Sequence, residues 1–406
     1  MDHYIKPPSV EDGYRHNCFA KYLKNYGWKS TLFFSSELHR RNMNLIEGKE
    51  KFIVENTEDG TYVAIKTRSY YENGFKRVLN MFDYFFGIIK NRKKFVKLFG
   101  RPDVIIASSV HPLTCIAGLI MAKKYKCKCI VEIKDLWPEA LVQFGFLKKG
   151  SMISRVLYGV EKWIYKKSDS IIFSFEGGKD YIEEKKWVEA IPLSKVNYIN
   201  NGIELDKYIY NLKKFKLEDD DLNDDSCFKV IYVGSIGKAN AIDQIIDAAV
   251  KLKEYKDIKF YIYGSGNYFD KIKDDVLKYD LESVYLKGRI DKKFIPYILS
   301  QSDLNIITGE KLDMYKYGIS PRKLLDYLAS GKPIISSLVC GYDVLEKYNC
   351  GMTLEKNLHE GIQKFYNMKK YDYDEYCNRV LKVSQEYDYE VLTEKLNDVV
   401  NNTLGG

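Results

Sequence analysis

Apolar positions along the chain fall into two recurring patterns. Short runs dominated by Val, Ile, Phe and Tyr alternate with longer stretches in which apolar residues return every three or four positions. The runs predict strands buried on both faces and the longer stretches predict amphipathic helices, so their alternation predicts α/β architecture with mostly parallel sheets. The pattern occurs twice. "STLFFSS", "DVIIASS", "CIVEIKD", "SIIFSFE" and "VNYIN" are strands of the first half, and "FKVIYVGS", "IKFYIYGSG", "VYLKGRI", "LNIITG" and "KPIISS" those of the second. Two doubly wound domains are expected, residues 1–205 and 228–385. An acidic linker, 206–227, joins them, and a C-terminal helix in 386–406 packs back toward the first. The default ligand site is the cleft where the carboxyl ends of the strands converge. The chain opens on the polar loop "DHYIKPPSVEDGYRHN" and then the helix "CFAKYLKNYG", so the first strand of a doubly wound domain is expected to be missing.

Composition narrows the class. At 406 residues and 45% hydrophobic content the chain exceeds one compact core. The longest apolar runs, such as "CIAGLIMA", fall far short of the roughly 20 residues that span a bilayer. "MDHYIKPPSV" has no apolar signal region, which predicts a cytoplasmic location. The eight cysteines include one close pair, Cys127 and Cys129, a poor metal site without further ligands, and are expected as thiols. Net charge +8, from 64 basic and 56 acidic residues, is too mild for a dedicated nucleic-acid binder. Its distribution says more: "KNRKKFVKLFGR" carries six cations among apolar residues, and "EDDDLNDD" is nearly all acid, a solvated linker. Asp219–Asp221 and Asp372–Asp374 match the D-x-D pattern of metal-dependent transferases but lie in polar segments without rigid support. No metal or cofactor is expected, and no G-x-S-x-G, P-loop or HExxH occurs.

The densest chemistry lies in "YGISPRKLLDYLASGKPIIS", residues 317–336. Ser320 is placed as the N-cap and Pro321 as the first helical residue. Free amides at such a helix start, with Arg322 and Lys323 beside them, suit a diphosphate. Asp326 follows one turn later, where a carboxylate can accept both hydroxyls of a ribose. An ordinary helix-to-strand connection, with Asp326 merely paired to Arg322, fits the same residues.

This segment, "IYVGSIGKANAIDQIIDAA", "YIYGSG" and "VEIKDLWPEA" together resemble bacterial family 4 retaining glycosyltransferases of the GT-B fold. The closest resemblance is to the subgroup that builds capsule and O-antigen repeat units, and it runs over nearly the whole chain. It implies two Rossmann-like domains, the first for the acceptor and the second for the nucleotide sugar. Asp326 falls on the second acid of the family's E-x7-E element, which holds the ribose. The first acid, which contacts the transferred sugar, falls on Gly318 and is absent. The family's basic pair is absent too, with Ser235 and Asn240 near its places, so Arg322, Lys323 and Lys238 are left to neutralise the diphosphate. Gly234, Gly237, Gly264 and Gly266 match loops that approach the nucleotide, and the base is expected against the backbone of Gly288 and Arg289.

In the first half the resemblance makes His111 the sugar-contacting histidine; a surface histidine capping a helix is the alternative. Asp135 and Glu139 of "KDLWPEA" are active-site or acceptor candidates, or part of a loop held by Trp137. The segment 69–99 puts Val78, Phe82, Phe85, Phe86 and Ile89 on one helical face among cations, fit for an anionic membrane or for the core. Similar enzymes use a polyprenyl-diphosphate-linked sugar, which makes Arg15, Arg77, Arg92, Lys93 and Lys94 candidate acceptor or membrane contacts. The expected activity is transfer, with retention, from a nucleotide sugar, a UDP-N-acetylaminosugar by resemblance, to that lipid at the cytoplasmic membrane face. A GT-B sugar-nucleotide epimerase and a non-catalytic GT-B partner subunit are the alternatives.

Overall fold

A computed structural model describes residues 1–11, 15–39, 41, 43–70 and 74–405. Parts of the predicted opening loop (12–14) and of the basic aromatic segment (71–73) lie outside the described residues. The chain divides into two compact units, Met1–Asn200 with Tyr389–Gly406, and Asn201–Asp388.

The first unit holds strands β1 (Thr31–Ser35), β2 (Phe52–Asn56), β3 (Thr61–Ile65), β4 (Val104–Ser109), β5 (Lys128–Ile133), β6 (Ser170–Phe173) and β7 (Val196–Tyr198). They pair as β1-β3-β2 and as the parallel sheet β4-β5-β6-β7. The expected gap between the two sets is filled by residues 1–3. The Met1 amino group donates to Ile106 O at 2.7 Å, Ser108 N to Met1 O at 2.9 Å, Asp2 N to Phe33 O at 3.1 Å and Ser35 N to His3 O at 3.1 Å. A first-strand position thus exists, occupied by "MDH", which is too short and polar to be seen in the pattern. The antiparallel β2–β3 pair was likewise not expected, because charges interrupt its runs.

Helices α2 (Phe75–Phe99), α3 (Pro112–Tyr125) and α5 (Met152–Lys167) lie side by side, with the short α4 (Glu139–Gln143) before α5. Gly118 of α3 sits against β4 so closely that a Cβ there would come within 2.6 Å of the Ala107 methyl. Helix α1 (Arg15–Leu23) packs against the C-terminal helix Tyr389–Leu404 through Phe19, Tyr389, Leu392 and Leu396, with Trp28 Nε1 donating to Asn397 at 2.9 Å.

The second unit is one parallel sheet of β8 (Phe228–Val233), β9 (Ile258–Tyr263), β10 (Val284–Gly288), β11 (Leu304–Ile307), β12 (Ile334–Ser336) and β13 (Gly351–Thr353), in the order β10-β9-β8-β11-β12-β13. Its central strands β8, β9, β11 and β12 are almost fully buried, which explains their largely apolar runs, and the edge strands β10 and β13 are partly buried. The solvated linker expected at 206–227 is corrected by this structure. Residues Leu205–Lys214 form helix α6, and Leu222 is buried in the core of this unit, where a leucine contributes roughly 2 kcal/mol. Asp219 and Asp221 both pair with Lys287, at 2.8 and 2.7 Å. The acid run is anchored because Asp219 and Asp221 share Lys287 of β10 and its one leucine finds the core, while Glu218, Asp220, Asp224 and Asp225 stay exposed.

Candidate functional site

At the carboxyl edge of the second unit's sheet, the loops after β8 and β9 meet backbone to backbone. Gly234 N donates to Tyr263 O at 3.0 Å and Ile236 N to Ser265 O at 3.0 Å. A Cβ at Gly264 would run into Gly234 O, and one at Gly266 into Ile236 O. Glycine is required at both places for close approach of two chains, a structural reason that stands whatever binds there. Lys238, in a short turn after Gly237 and before helix α7 (Asp243–Lys251), is exposed, as are Arg289 and Arg322.

Helix α8 (Arg322–Ser330) starts one residue later than the sequence suggests, with Pro321 at the N-cap. Ser320 instead ties the loop to Asn201, whose backbone N–H and side-chain amide donate to its hydroxyl at 3.1 and 2.9 Å. Leu324, Leu325 and Leu328 face the core, and Gly331 ends the helix in the left-handed conformation. That geometry turns the first residues of α8 toward the glycine loops. Lys323 Nζ donates to Tyr232 Oη and to Asn240 Oδ1, both at 2.9 Å, and lies 4.5 Å over the Tyr232 ring. Both acceptors are neutral, and burial brings its pKa down to about 8. Burial also raises Asp326 to about 6, against the pull of Arg322 and Lys292. Among the described residues Asp326 has no ion-pair partner, so its pairing with Arg322 is not realised. Tyr208 of α6, buried beside it, has a hydroxyl without a partner. Among the described residues, a half-buried cation with no counter-anion and an unpaired carboxylate one turn away thus share one helix face. Gly318 has φ 97° and ψ 168°, backbone that an acid at this position would strain.

The first unit gathers its polar groups at the same edge of its own sheet. His111 follows β4 as the N-cap of α3, but it is buried and its side chain makes no cap bond. Its Nε2 lies 2.9 Å from His3 Nδ1, and His3 Nε2 lies 2.7 Å from Asn80 Oδ1. Asn80 spends its amide nitrogen on Arg68 O, so its oxygen accepts from His3. Burial brings His3 down to about 4 and His111 well below its usual range, so both rings are neutral. His3 therefore donates through Nε2 and accepts at Nδ1, His111 donates through Nε2, and His111 Nδ1 is left as a buried lone pair with no partner. Ser109 Oγ and Thr114 Oγ1, on either side in sequence, are also buried without partners.

Arg15, expected at an acceptor or membrane, is buried instead. It donates to Glu132 at 2.7 Å and to the carbonyls of Ile199 and Asn200, and it holds the end of β7 in place. Glu132 also takes Ser108 Oγ at 2.5 Å and His16 Nε2 at 2.9 Å. Burial alone would raise Glu132, but Arg15 and His16 outweigh it and hold it well below the carboxylate range. Asp2, paired with Lys134, is depressed in the same way. Glu139 accepts from Lys185 at 2.7 Å, Tyr158 at 2.6 Å and Gln143 at 3.1 Å, which saturates it as a structural anion. Asp135 is exposed in the loop after β5. Arg77 donates to Tyr4 Oη at 2.7 Å, Arg92 folds onto its own helix at Ile89 O, and Lys93 and Lys94 are exposed. Sequence reasoning did not find Asp2, His3, His16, Glu132 and Tyr232, and it named Asn240 only as standing near the place of an absent family cation. "DHY" and "RHN" carried the only signal for the first unit, and their partners Asn80, His111, Glu132 and Lys134 lie 77 to 132 positions away.

Residues 214–380 match the family model of glycosyl transferases group 1. The probable glycosyltransferase WbjE of Pseudomonas aeruginosa is 23% identical over 254 residues, 60% of this chain and 59% of that protein. The match thus spans about three fifths of the curated relative. Among solved structures, Anabaena Alr3699/HepE in complex with UDP superposes with TM-score 0.66 at 13% identity, covering 99% of this chain and 98% of that one. WaaG, a glycosyltransferase involved in lipopolysaccharide biosynthesis, gives 0.63 at 13%, covering 100% and 98%. The chain has the GT-B fold, and its residues 214–380 are similar to the glycosyl transferases of group 1.

Proposed function

We propose that the chain is a retaining glycosyltransferase that takes a sugar from a nucleoside diphosphate sugar. The carrying observation is Lys323, an ammonium at a helix start that is bonded, among the described residues, only to neutral oxygens beside two glycine loops. A diphosphate supplies the missing anion, and Asp326 accepts the ribose hydroxyls. As the diphosphate departs, positive charge grows on the sugar ring. Lys323, Arg322 and the α8 amides then stabilise the leaving oxygens more than they stabilise the bound donor. Lys238, Gly234, Gly264, Gly266 and Arg289 line the approach to the nucleotide, and Ser320 fixes the loop that leads into α8. His111 is the candidate contact to the transferring sugar through its Nδ1 lone pair, and Asp135 in the loop after β5 is the remaining carboxylate candidate. The likeness to HepE structures that hold UDP and UDP-glucose supports a uridine nucleotide. The sequence resemblance favours an N-acetylaminosugar, and a polyprenyl-diphosphate-linked acceptor at the cytoplasmic membrane face in capsule or O-antigen synthesis. For that acceptor the exposed Lys93 and Lys94, with Arg92 and Arg77, are candidate phosphate partners.

Gly318 favours a second reading, a GT-B protein without turnover, because the family's sugar-contacting acid is replaced by a residue whose backbone requires glycine. Two measurements separate them. Titrating UDP into wild type and Asp326→Ala by calorimetry should show binding weakened about tenfold to a hundredfold, the 1.5–3 kcal/mol of hydrogen bonds to a charged acceptor. Equal affinities reject the donor site. Incubating the protein with radiolabelled UDP-sugars and a membrane extract should place label in lipid. UDP binding without labelled product supports the inactive reading, and a new sugar nucleotide supports an epimerase.

A further inference from the structure

The turn between α4 and α5 presents an apolar surface that the fold leaves uncovered. Phe146 is 80% exposed, Met152 83%, Ile153 64% and Val156 57%, and Phe144 and Trp163 extend the patch. Large side chains this exposed in one contiguous stretch mark an interaction surface. The turn is well fixed: Leu147 N donates to Leu141 O at 3.0 Å, and Ser151 caps α5 by accepting from Ser154 N at 3.2 Å. Along α5, Met152, Val156 and Trp163 recur at helical spacing on the outer side, while Ser154, Ile164 and Tyr165 face the core.

Charge identifies the occupant. Residues 144–167 contain six cations, Lys148, Lys149, Arg155, Lys162, Lys166 and Lys167, and one acid, Glu161, which is buried. A second copy of the chain would bring the same cations against them. Helices α2 and α3 continue the layer with exposed Val78, Phe82, Phe86 and Ile120, and with exposed Lys93, Lys94, Lys123 and Lys124. No helix among the described residues is long and apolar enough to cross a membrane. Apolar side chains inside a ring of cations fit an anionic bilayer surface, with the apolar groups entering the acyl boundary and the cations among the headgroups.

We propose that residues 144–156 are the principal membrane-docking element of this protein, inserting Phe146, Met152 and Ile153 into anionic lipid. The docking deepens the proposed lipid-linked acceptor by naming the surface that would meet its membrane, and it is tested without turnover. The full chain is floated with vesicles of phosphatidylcholine alone or mixed with phosphatidylglycerol, at low and high salt. Wild type should float with the mixed vesicles and far less with phosphatidylcholine alone. Phe146→Ser/Met152→Ser/Ile153→Ser should lose partitioning at either salt. Lys148→Glu/Lys149→Glu/Arg155→Glu should lose about a hundredfold at low salt. Arg92→Glu/Lys93→Glu/Lys94→Glu on α2 should lose less than either. Wild type that never floats, or a serine variant that floats as well as wild type, overturns the proposal. So does a wild-type dimer that the serine variant converts to monomer. UDP affinity is measured on every variant. Unchanged affinity shows that the second unit is intact, and an unchanged melting temperature shows that the substituted first unit folds. Vesicle binding by a wild type that ignores UDP would leave docking standing and remove the transferase reading.

Discussion

Burial drives Lys323 and Asp326 toward neutrality from opposite sides, to about 8 and about 6. A bound diphosphate would favour the charged form of Lys323 and raise its pKa, so binding near pH 8 should take up about half a proton. Calorimetry of UDP binding in buffers of different ionisation enthalpy reads this directly. Lys323→Met should abolish the uptake as well as weaken binding, and buffer-independent heats with wild type would remove Lys323 from the phosphates. His111 makes a different prediction, because its lone pair should matter to the reacting sugar and not to the nucleotide. His111→Ala should lower turnover about a hundredfold while UDP affinity holds. In the wild type the 15N shift of its Nδ1 should be that of an unprotonated ring nitrogen, and should lose that uniformity in His3→Ala, where no acceptor fixes the tautomer. A turnover within a few fold of wild type would leave His111 as a packed core residue. That Lys323 and Asp326 share one helix start was legible in the sequence because a helix start and its first turn are local. His3, Asn80 and Glu132 were not, since each is defined by a partner 77 to 117 positions away.

The loops after β8 and β9 act as one element, and their glycines differ in what they can tolerate. A Cβ at Gly266 would collide with Ile236 O, whereas one at Gly237 would meet nothing nearer than Asn267 Oδ1 at 3.6 Å, an ordinary contact. Gly266→Ala should therefore cost about 1–3 kcal/mol in thermal unfolding and weaken UDP, while Gly237→Ala should stay within about 0.5 kcal/mol of wild type. Equal effects of the two substitutions would show that backbone approach does not shape this loop. The same physics governs what the chain revealed beforehand. Strands such as "VIIASS" and "FKVIYV" were legible because both faces are covered, leaving a dominant apolar run with few polar interruptions. Thr61–Ile65 is as deeply buried, but it pairs with the half-exposed Phe52–Asn56, whose charges broke the pattern. The acid run 218–225 looked like solvated chain because nothing local announces that Lys287 and a core space for Leu222 await it.

Buried titratable groups spread over the fold make stability depend on pH in opposing directions. His3 and His111, depressed by burial, are neutral when folded, so the unfolded chain binds more protons below pH 6.5. Their contribution is complete above 6.5 and is lost as pH falls toward 4. Glu161 acts the other way. It is buried against α3, accepts from Tyr165 and Tyr181 at 2.8 Å each, and burial raises it from 4.5 to about 8 against those bonds and against Lys185. The folded state keeps its proton, so its contribution is complete below pH 4.5 and is lost as pH rises through 8. The buried amino group of Met1, lowered from 8.0, opposes this loss in the same window, so the wild-type profile alone is ambiguous. Glu161→Gln keeps the shape and removes only the titration. Between pH 6.5 and 8 wild type should lose about 1–2 kcal/mol relative to the variant, at up to 1.36 kcal/mol per pH unit. In differential scanning calorimetry that appears as a melting temperature falling by roughly 2–4 °C per kcal/mol against the variant, for a unit of about 200 residues. Parallel profiles for the two proteins would mean that Glu161 is already ionised at neutral pH, held by its two tyrosines and Lys185.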